Sequence, residues 1–174
     1  MKRLWLVFLM LCLAGCVGLP SGVQPVSGFQ PERYLGTWYE IARLDHGFER
    51  GMSRVSAEYR KRDDGGLDVI NRGYLVESKT WKEARGKAYV VEGSDRGYLK
   101  VSFFGPFYGS YVVFDLDAKD YRYALVSGPD RSYLWLLARS PTLDAATRER
   151  LVARAAALGF DTRQLIFVDH APLP

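Results

Sequence analysis

The chain has 174 residues, 24 Lys and Arg against 20 Asp and Glu, and a formal charge of +4 at neutral pH. Arginines alternate with acids along its whole length, so there is no concentrated basic footprint for nucleic acid. A chain of this size makes one domain with a sizeable core.

Residues 1–15 carry a short basic head (Lys2, Arg3), an apolar run from Leu4 to Leu13 and small residues before Cys16, the pattern of an export signal. As a helix the apolar run spans roughly 15 Å, about half a bilayer, too short for a stable membrane span. Leu13-Ala14-Gly15-Cys16 resembles the lipobox of bacterial lipoproteins, which implies that Cys16 is acylated and heads the mature chain. The alternative is an ordinary signal peptide with an incidental cysteine. Cys12 leaves with the signal, so neither a disulfide framework nor a thiolate metal site can form within one chain. Loss of Lys2 and Arg3 also lowers the formal charge from +4 to +2. Glycines and prolines between Val17 and Gly28 predict that residues 16–28 form an acylated N-terminus and flexible spacer, with the folded domain over 29–174.

From Tyr34 to Ser140 short runs of Val, Tyr, Phe, Trp and Leu are separated by turn signals such as Asp63-Asp64-Gly65-Gly66 and Gly128-Pro129-Asp130. They predict eight strands near 36–45, 53–61, 67–74, 81–92, 97–104, 108–116, 121–127 and 133–139. Two-residue alternation puts Leu99, Val101 and Phe103 on one face, likewise Val55, Ala57 and Tyr59, and likewise Val112, Phe114 and Leu116. Residues 141–158 change to helical periodicity, with Thr142 as a candidate N-cap and Gly159 as the C-cap glycine; a short strand follows at 165–168. The order predicts an all-β, eight-stranded antiparallel up-and-down barrel with one helix packed outside and a short ninth strand.

Gly36-Thr37-Trp38-Tyr39 resembles the Gly-x-Trp signature of lipocalins, Asp120-Tyr121 their second motif (with Lys119 where threonine is usual), and Arg139 the arginine of the third. Longer stretches, among them Trp38 to Arg43, Val69 to Tyr74 and Val101 to Tyr108, are similar to bacterial outer-membrane lipocalin lipoproteins. The resemblance implies a calyx, affinity for fatty acids or lysophospholipids, and an Arg139 guanidinium stacked on the Trp38 indole at the barrel floor. Val17 follows the anchor cysteine in place of the aspartate that commonly retains such lipoproteins at the inner membrane. The outer membrane, facing the periplasm, is therefore the implied location.

Alternation from Trp38 and Arg139 assigns the cavity wall to Ala42, Leu44, Val55, Ala57, Tyr59, Ala88, Val90, Val101, Phe103 and Trp135. Small residues at Ala42, Ala57, Gly86 and Ala88 leave room for a ligand. Tyr108, beside Gly-rich bends, is a further candidate contact. The loop from Asp45 to Arg54 should sit at the open mouth, where His46, Arg50 and Arg54 can meet a carboxylate or phosphate. Parity also places Glu40 inside, where it needs an arginine, a proton or a path to water. No Gly-x-Ser-x-Gly, His-Glu-x-x-His or phosphate-binding loop occurs, so no enzymatic activity, cofactor or metal is expected. An envelope interaction module, with exposed aromatics between Phe103 and Tyr111 supporting a homodimer, is the first alternative to a lipid carrier, and a lipid-processing enzyme the second.

Overall fold

The computed structural model describes residues 18–91 and 95–173. The export signal and Cys16 lie outside the described residues, as does the last position of the fourth predicted strand. The alternating runs form β1 (Gly36–Arg43), β2 (Met52–Lys61), β3 (Leu67–Leu75), β4 (Thr80–Val90), β5 (Tyr98–Ser102), β6 (Gly109–Leu116), β7 (Tyr123–Ser127) and β8 (Leu134–Ala138). Each strand pairs antiparallel with its neighbours, and β1 pairs with both β2 and β8, so the eight close into a barrel. A ninth strand, β9 (Ile166–Phe167), lies along the upper half of β1, where β2 has turned away. There Val168 N–H donates to the Ile41 carbonyl at 3.0 Å and Arg54 N–H to the Asp169 carbonyl at 2.9 Å, pairing backbone groups the barrel leaves open.

Alternation holds along most strands and fails at three bulges. One extra residue sits between Glu40 and Ala42 of β1, one between Ser53 and Ser56 of β2, and one between Val113 and Asp115 of β6. A one-residue insertion reverses the facing of everything beyond it. Ala42 is therefore opposite Leu136, and with Leu44 it packs into the outer cluster that also holds Val112, Phe114, Leu125, Leu134 and Ala138. The assignment of Ala42 and Leu44 to the cavity wall is corrected: both face away from the lumen. Leu116 parts from Val112 and Phe114 for the same reason and turns inward. At the β2 bulge Arg54 takes a left-handed backbone, φ 52°.

The outer cluster is roofed by α2 (Ala145–Ala157), whose Leu151 and Ala155 are fully buried. The helix starts later than its composition suggests, because Asp144 and not Thr142 caps it: the Asp144 carboxylate accepts from Thr147 N–H at 2.8 Å. Gly159, with φ +84°, terminates it. A single turn, α1 (Pro31–Tyr34), precedes β1 and has no counterpart in the predicted elements.

Where Gly and Pro content predicts a flexible spacer, residues 18–28 are laid along the barrel wall. Gly18 N–H donates to Ser110 Oγ at 2.8 Å, Arg131 reaches the Ser21 carbonyl, Val23 is buried, and Val26 exchanges hydrogen bonds with Val113 and Gly97. Composition misses this because Gly and Pro content says nothing of three apolar side chains spaced three apart, Val23, Val26 and Phe29, that pack against the barrel.

Candidate functional site

The barrel has a closed end and an open one. At the closed end Trp38 is fully buried; its Nε1 donates to the Tyr34 carbonyl at 2.8 Å and its ring stacks on Tyr34 at 4.5 Å. Arg139 Cζ lies 4.1 Å above the other indole face, and the guanidinium donates to the carbonyls of Arg33, Thr37 and Tyr121. Gly36, with φ +92°, passes close beneath this guanidinium, where a Cβ would meet Nη1 at 3.4 Å. Tyr121 is buried with φ 53°, and its hydroxyl accepts from Gln30 N–H at 3.1 Å while Arg33 covers its ring. Asp120 stays at the surface, 3.9 Å from Arg122, and Tyr39 points outward against His170. Above the floor, Tyr59 donates to the Tyr111 hydroxyl at 2.7 Å, and Tyr34 and Tyr111 share a hydrogen bond at 2.8 Å. Burial raises the pKa of all three phenols, so they stay neutral.

The wall above is apolar: Val69, Ala88, Val90, Leu99, Val101, Phe103, Val113, Val126 and Leu137 share the inner cluster with Ala57, Tyr59 and Trp135. Val55 is buried beside the β2 bulge. Gly86 offers no free volume, because the Phe103 ring occupies it; a Cβ there would lie 2.8 Å from that ring. Room lies one step higher, against β2, β3 and β4. Ala57, Asn71 and Ala84 stand abreast on the inward face, yet Ala57 and Asn71 are only half-buried and Ala84 is exposed. Solvent thus reaches the inner wall at mid-barrel. Asn71 Oδ1 has no hydrogen-bond partner among the described residues.

The loop between β1 and β2 folds down onto the mouth and buries charge. The bulge at Ile41 turns Arg43 inward, onto the same face as Glu40 and Trp135. Arg43 Nη1 donates to Glu40 Oε1 at 2.6 Å, and Nη2 to the carbonyls of Glu49 and Met52. Glu49 Oε2 accepts from Trp135 Nε1 at 3.2 Å and lies 3.1 Å from His46 Nε2, a close approach without good hydrogen-bond alignment. The His46 ring stacks on Phe48 at 4.0 Å and leans on Trp135. Burial, and then the neighbouring Glu49 charge, push the Glu40 pKa up against the pull of Arg43. Burial pushes Glu49 up as well, but the adjacent His46 ring, the Trp135 N–H and the neighbouring Glu40 carboxyl outweigh it, and its pKa falls. Burial thus favours a proton on the Glu40 side of this carboxyl pair, while Arg43 stays paired with the Glu40 carboxyl and touches Glu49 only through its backbone carbonyl.

That proton fixes a pH dependence. Above the ordinary glutamate range the native protein holds a proton on Glu40 that the unfolded chain has lost, so stability falls as pH rises toward the native pKa, by up to roughly 1.4 kcal/mol per pH unit. Glu49 contributes in the opposite sense, with stability lost only as pH falls through its lowered pKa. Glu40→Gln carries no such proton. Its Tm relative to the parent is expected to climb as pH rises above the ordinary glutamate range; a difference that stays flat as pH rises would place the proton elsewhere.

Three expected head-group contacts do not converge. His46 is consumed by Glu49, Arg50 turns outward to Asp45 at 2.8 Å, and Arg54 lies over Tyr74 on the outer surface. Tyr108 also points outward, 5.5 Å from Lys100 and beside Tyr89, so it is not a cavity residue. Trp135 does face the lumen, but its indole N–H is committed to Glu49. Sequence reasoning missed Arg43, Glu49, Asn71 and the Tyr34–Tyr111 pair. A charged pair three residues apart on one strand, Glu40 and Arg43, was the available signal, since only a bulge brings such a pair onto one face.

A lipocalin-like domain model matches residues 29–170. The chain is a lipocalin. This lipocalin is 59% identical over 167 residues to an outer membrane lipoprotein, Blc, of Vibrio cholerae, covering 94% of this chain and 98% of that one. It is 54% identical over 151 residues to the Escherichia coli K12 protein of the same name, covering 87% and 85%. Among solved structures, insecticyanin from the tobacco hornworm Manduca sexta matches with a TM-score of 0.71 and 22% identity, covering 88% of this lipocalin and 87% of that chain, a likeness of fold.

Proposed function

We propose that this lipocalin binds fatty acids or lysophospholipids in its lumen and carries or stores them for membrane maintenance. The half-buried inward row of Ala57 and Asn71, with Ala84 exposed beside it, carries the reading, because it marks space inside an otherwise apolar wall. Each buried methylene of an acyl chain contributes about 0.8 kcal/mol before association costs, so a dozen support micromolar binding without any polar contact. Head-group choice falls to inward polar groups: Asn71 at mid-barrel and Lys82, which β4 carries on the same face nearer the rim. The named relatives are outer membrane lipoproteins, and this chain takes the same place, lipid-anchored at the outer membrane. Acylation of Cys16 supplies the anchor in this reading, and the barrel faces the periplasm.

Native mass spectrometry of the chain begun after Cys16, incubated with lysophospholipid, a fatty acid and a retinoid, tests the proposal. One-to-one uptake of lysophospholipid or fatty acid is expected, and Ala57→Phe, which fills the lumen at its accessible row, should weaken it at least about tenfold, the equivalent of about 1.4 kcal/mol. Uptake of none of the three overturns the carrier and leaves an interaction module. Uptake indifferent to Ala57→Phe puts the ligand outside the lumen.

A further inference from the structure

The open end of this barrel is also its apolar end. Phe48 on the β1–β2 loop, Val76 and Trp81 around the β3–β4 turn, and Phe104 and Phe107 on the β5–β6 loop are all exposed, Phe104 by 82% and Phe107 by 64%. Both ends expose charge, Asp45, Arg50, Glu77 and Lys79 at the open one and Asp63, Asp64, Lys119 and Asp120 at the closed one, but among the described residues the large exposed apolar groups of the barrel loops lie at the open end. Large exposed apolar groups gathered at one end mark an interaction surface.

The path of the N-terminal segment says what that surface meets. Gly18 is fixed to Ser110, three residues beyond Phe107, and Ser21 is held by Arg131 of the β7–β8 loop, so the chain enters the barrel at the open end. Leu19, next to the first of these ties, is exposed beside them. From there the segment descends past Val113 to the floor. Cys16 lies two residues before Gly18 and can stand no more than about 7 Å from it. A lipid on Cys16 leaves no slack to hold the open end away from the bilayer.

We propose that the rim formed by Phe104 and Phe107, with Phe48, Val76 and Trp81, docks on the phospholipid surface in which Cys16 is anchored, so that the lumen opens directly onto the leaflet. Exposed aromatic side chains favour the boundary between head groups and acyl chains. A lysophospholipid or fatty acid then passes between bilayer and barrel without crossing water. The proposal rests on acylation of Cys16 but not on the identity of the ligand.

The test uses the mature, acylated full chain reconstituted in phosphatidylethanolamine–phosphatidylglycerol vesicles. Cys12 is gone and Cys16 is blocked in that form, so Phe107→Cys and Lys119→Cys each supply a single thiol for a fluorophore. Membrane-embedded spin-labelled lipid is expected to quench the fluorophore at 107 and leave that at 119 bright. The double variant Phe104→Asp/Phe107→Asp should still float with the vesicles, because the anchor is intact, and still bind ligand in solution, yet lose quenching of a label placed by Phe48→Cys. Equal brightness at 107 and 119 overturns docking, and so does a label at 107 shielded from aqueous iodide but untouched by lipid quencher, which would mean a second copy of the chain covers the rim. Failure to float reports loss of the anchor, and failure to bind ligand in solution reports failure of the carrier reading, so the three are separable.

Discussion

Arg43→Met is expected to destabilise the protein by about 3–5 kcal/mol, a fall in Tm on the order of 10 °C for a domain of this size. Arg43 is 1% exposed, and its guanidinium joins Glu40 to the carbonyls of Glu49 and Met52. Methionine fills much of the volume but donates nothing. Two carbonyls lose their donor, Glu40 loses its ion-pair partner, and the buried Glu49 carboxylate is left beside Glu40, His46 and Trp135. Breaking one side of a buried ion pair is more damaging than removing both, since the remaining charge has lost its water and its partner. Arg43→Met combined with Glu49→Gln is therefore expected to recover a substantial part of the loss. Urea unfolding of the parent, single and double variants measures both steps. A single-variant loss under about 1 kcal/mol would show that the network is open to water and that the mouth loop is not held by it.

The same network shows where the sequence is legible and where it is not. Strand positions, the barrel order and Gly159 as helix stop follow from local patterns, because side-chain period and turn chemistry act over a few positions, whereas the Trp38–Arg139 floor follows only from the lipocalin resemblance. Facing inside the barrel follows too, as long as pairing is regular: Ala57, Tyr59, Ala88, Val90, Val101 and Phe103 stand on the inner side that alternation gives them. What alternation cannot register is a single inserted residue. The bulge at Ile41 moves Ala42 and Leu44 to the helix side and carries Arg43 into the mouth. Glu40 thereby receives its arginine from its own strand, where a regular strand would have held the two on opposite faces. The mouth cations fail for a different reason. His46, Arg50 and Arg54 are close in sequence, but a loop that folds inward sends His46 below, Arg50 outward and Arg54 onto Tyr74.

Trp38→Ala should cost about 3–5 kcal/mol, because the indole is fully buried at the closed end of the barrel. The substitution leaves the Tyr34 carbonyl without its 2.8 Å donor and opens a cavity between the Tyr34 ring and the Arg139 guanidinium. Neither flanking group can close that cavity freely. Tyr34 is held by its hydrogen bond to Tyr111, and Arg139 is pinned by three backbone carbonyls. Arg139→Ala alone removes those three donations as well as the stacking, so its own loss overstates the cation–π contact. A double-mutant cycle between the two positions isolates it, with an expected coupling of about 0.5–2 kcal/mol. A coupling near zero would reduce Arg139 to a carbonyl clamp for the floor turns. Ligand capacity separates floor from lumen in the same variants: the inner row at Ala57 and Asn71 lies above the tyrosine hydroxyls, so uptake per folded molecule should survive Arg139→Ala even as Tm falls.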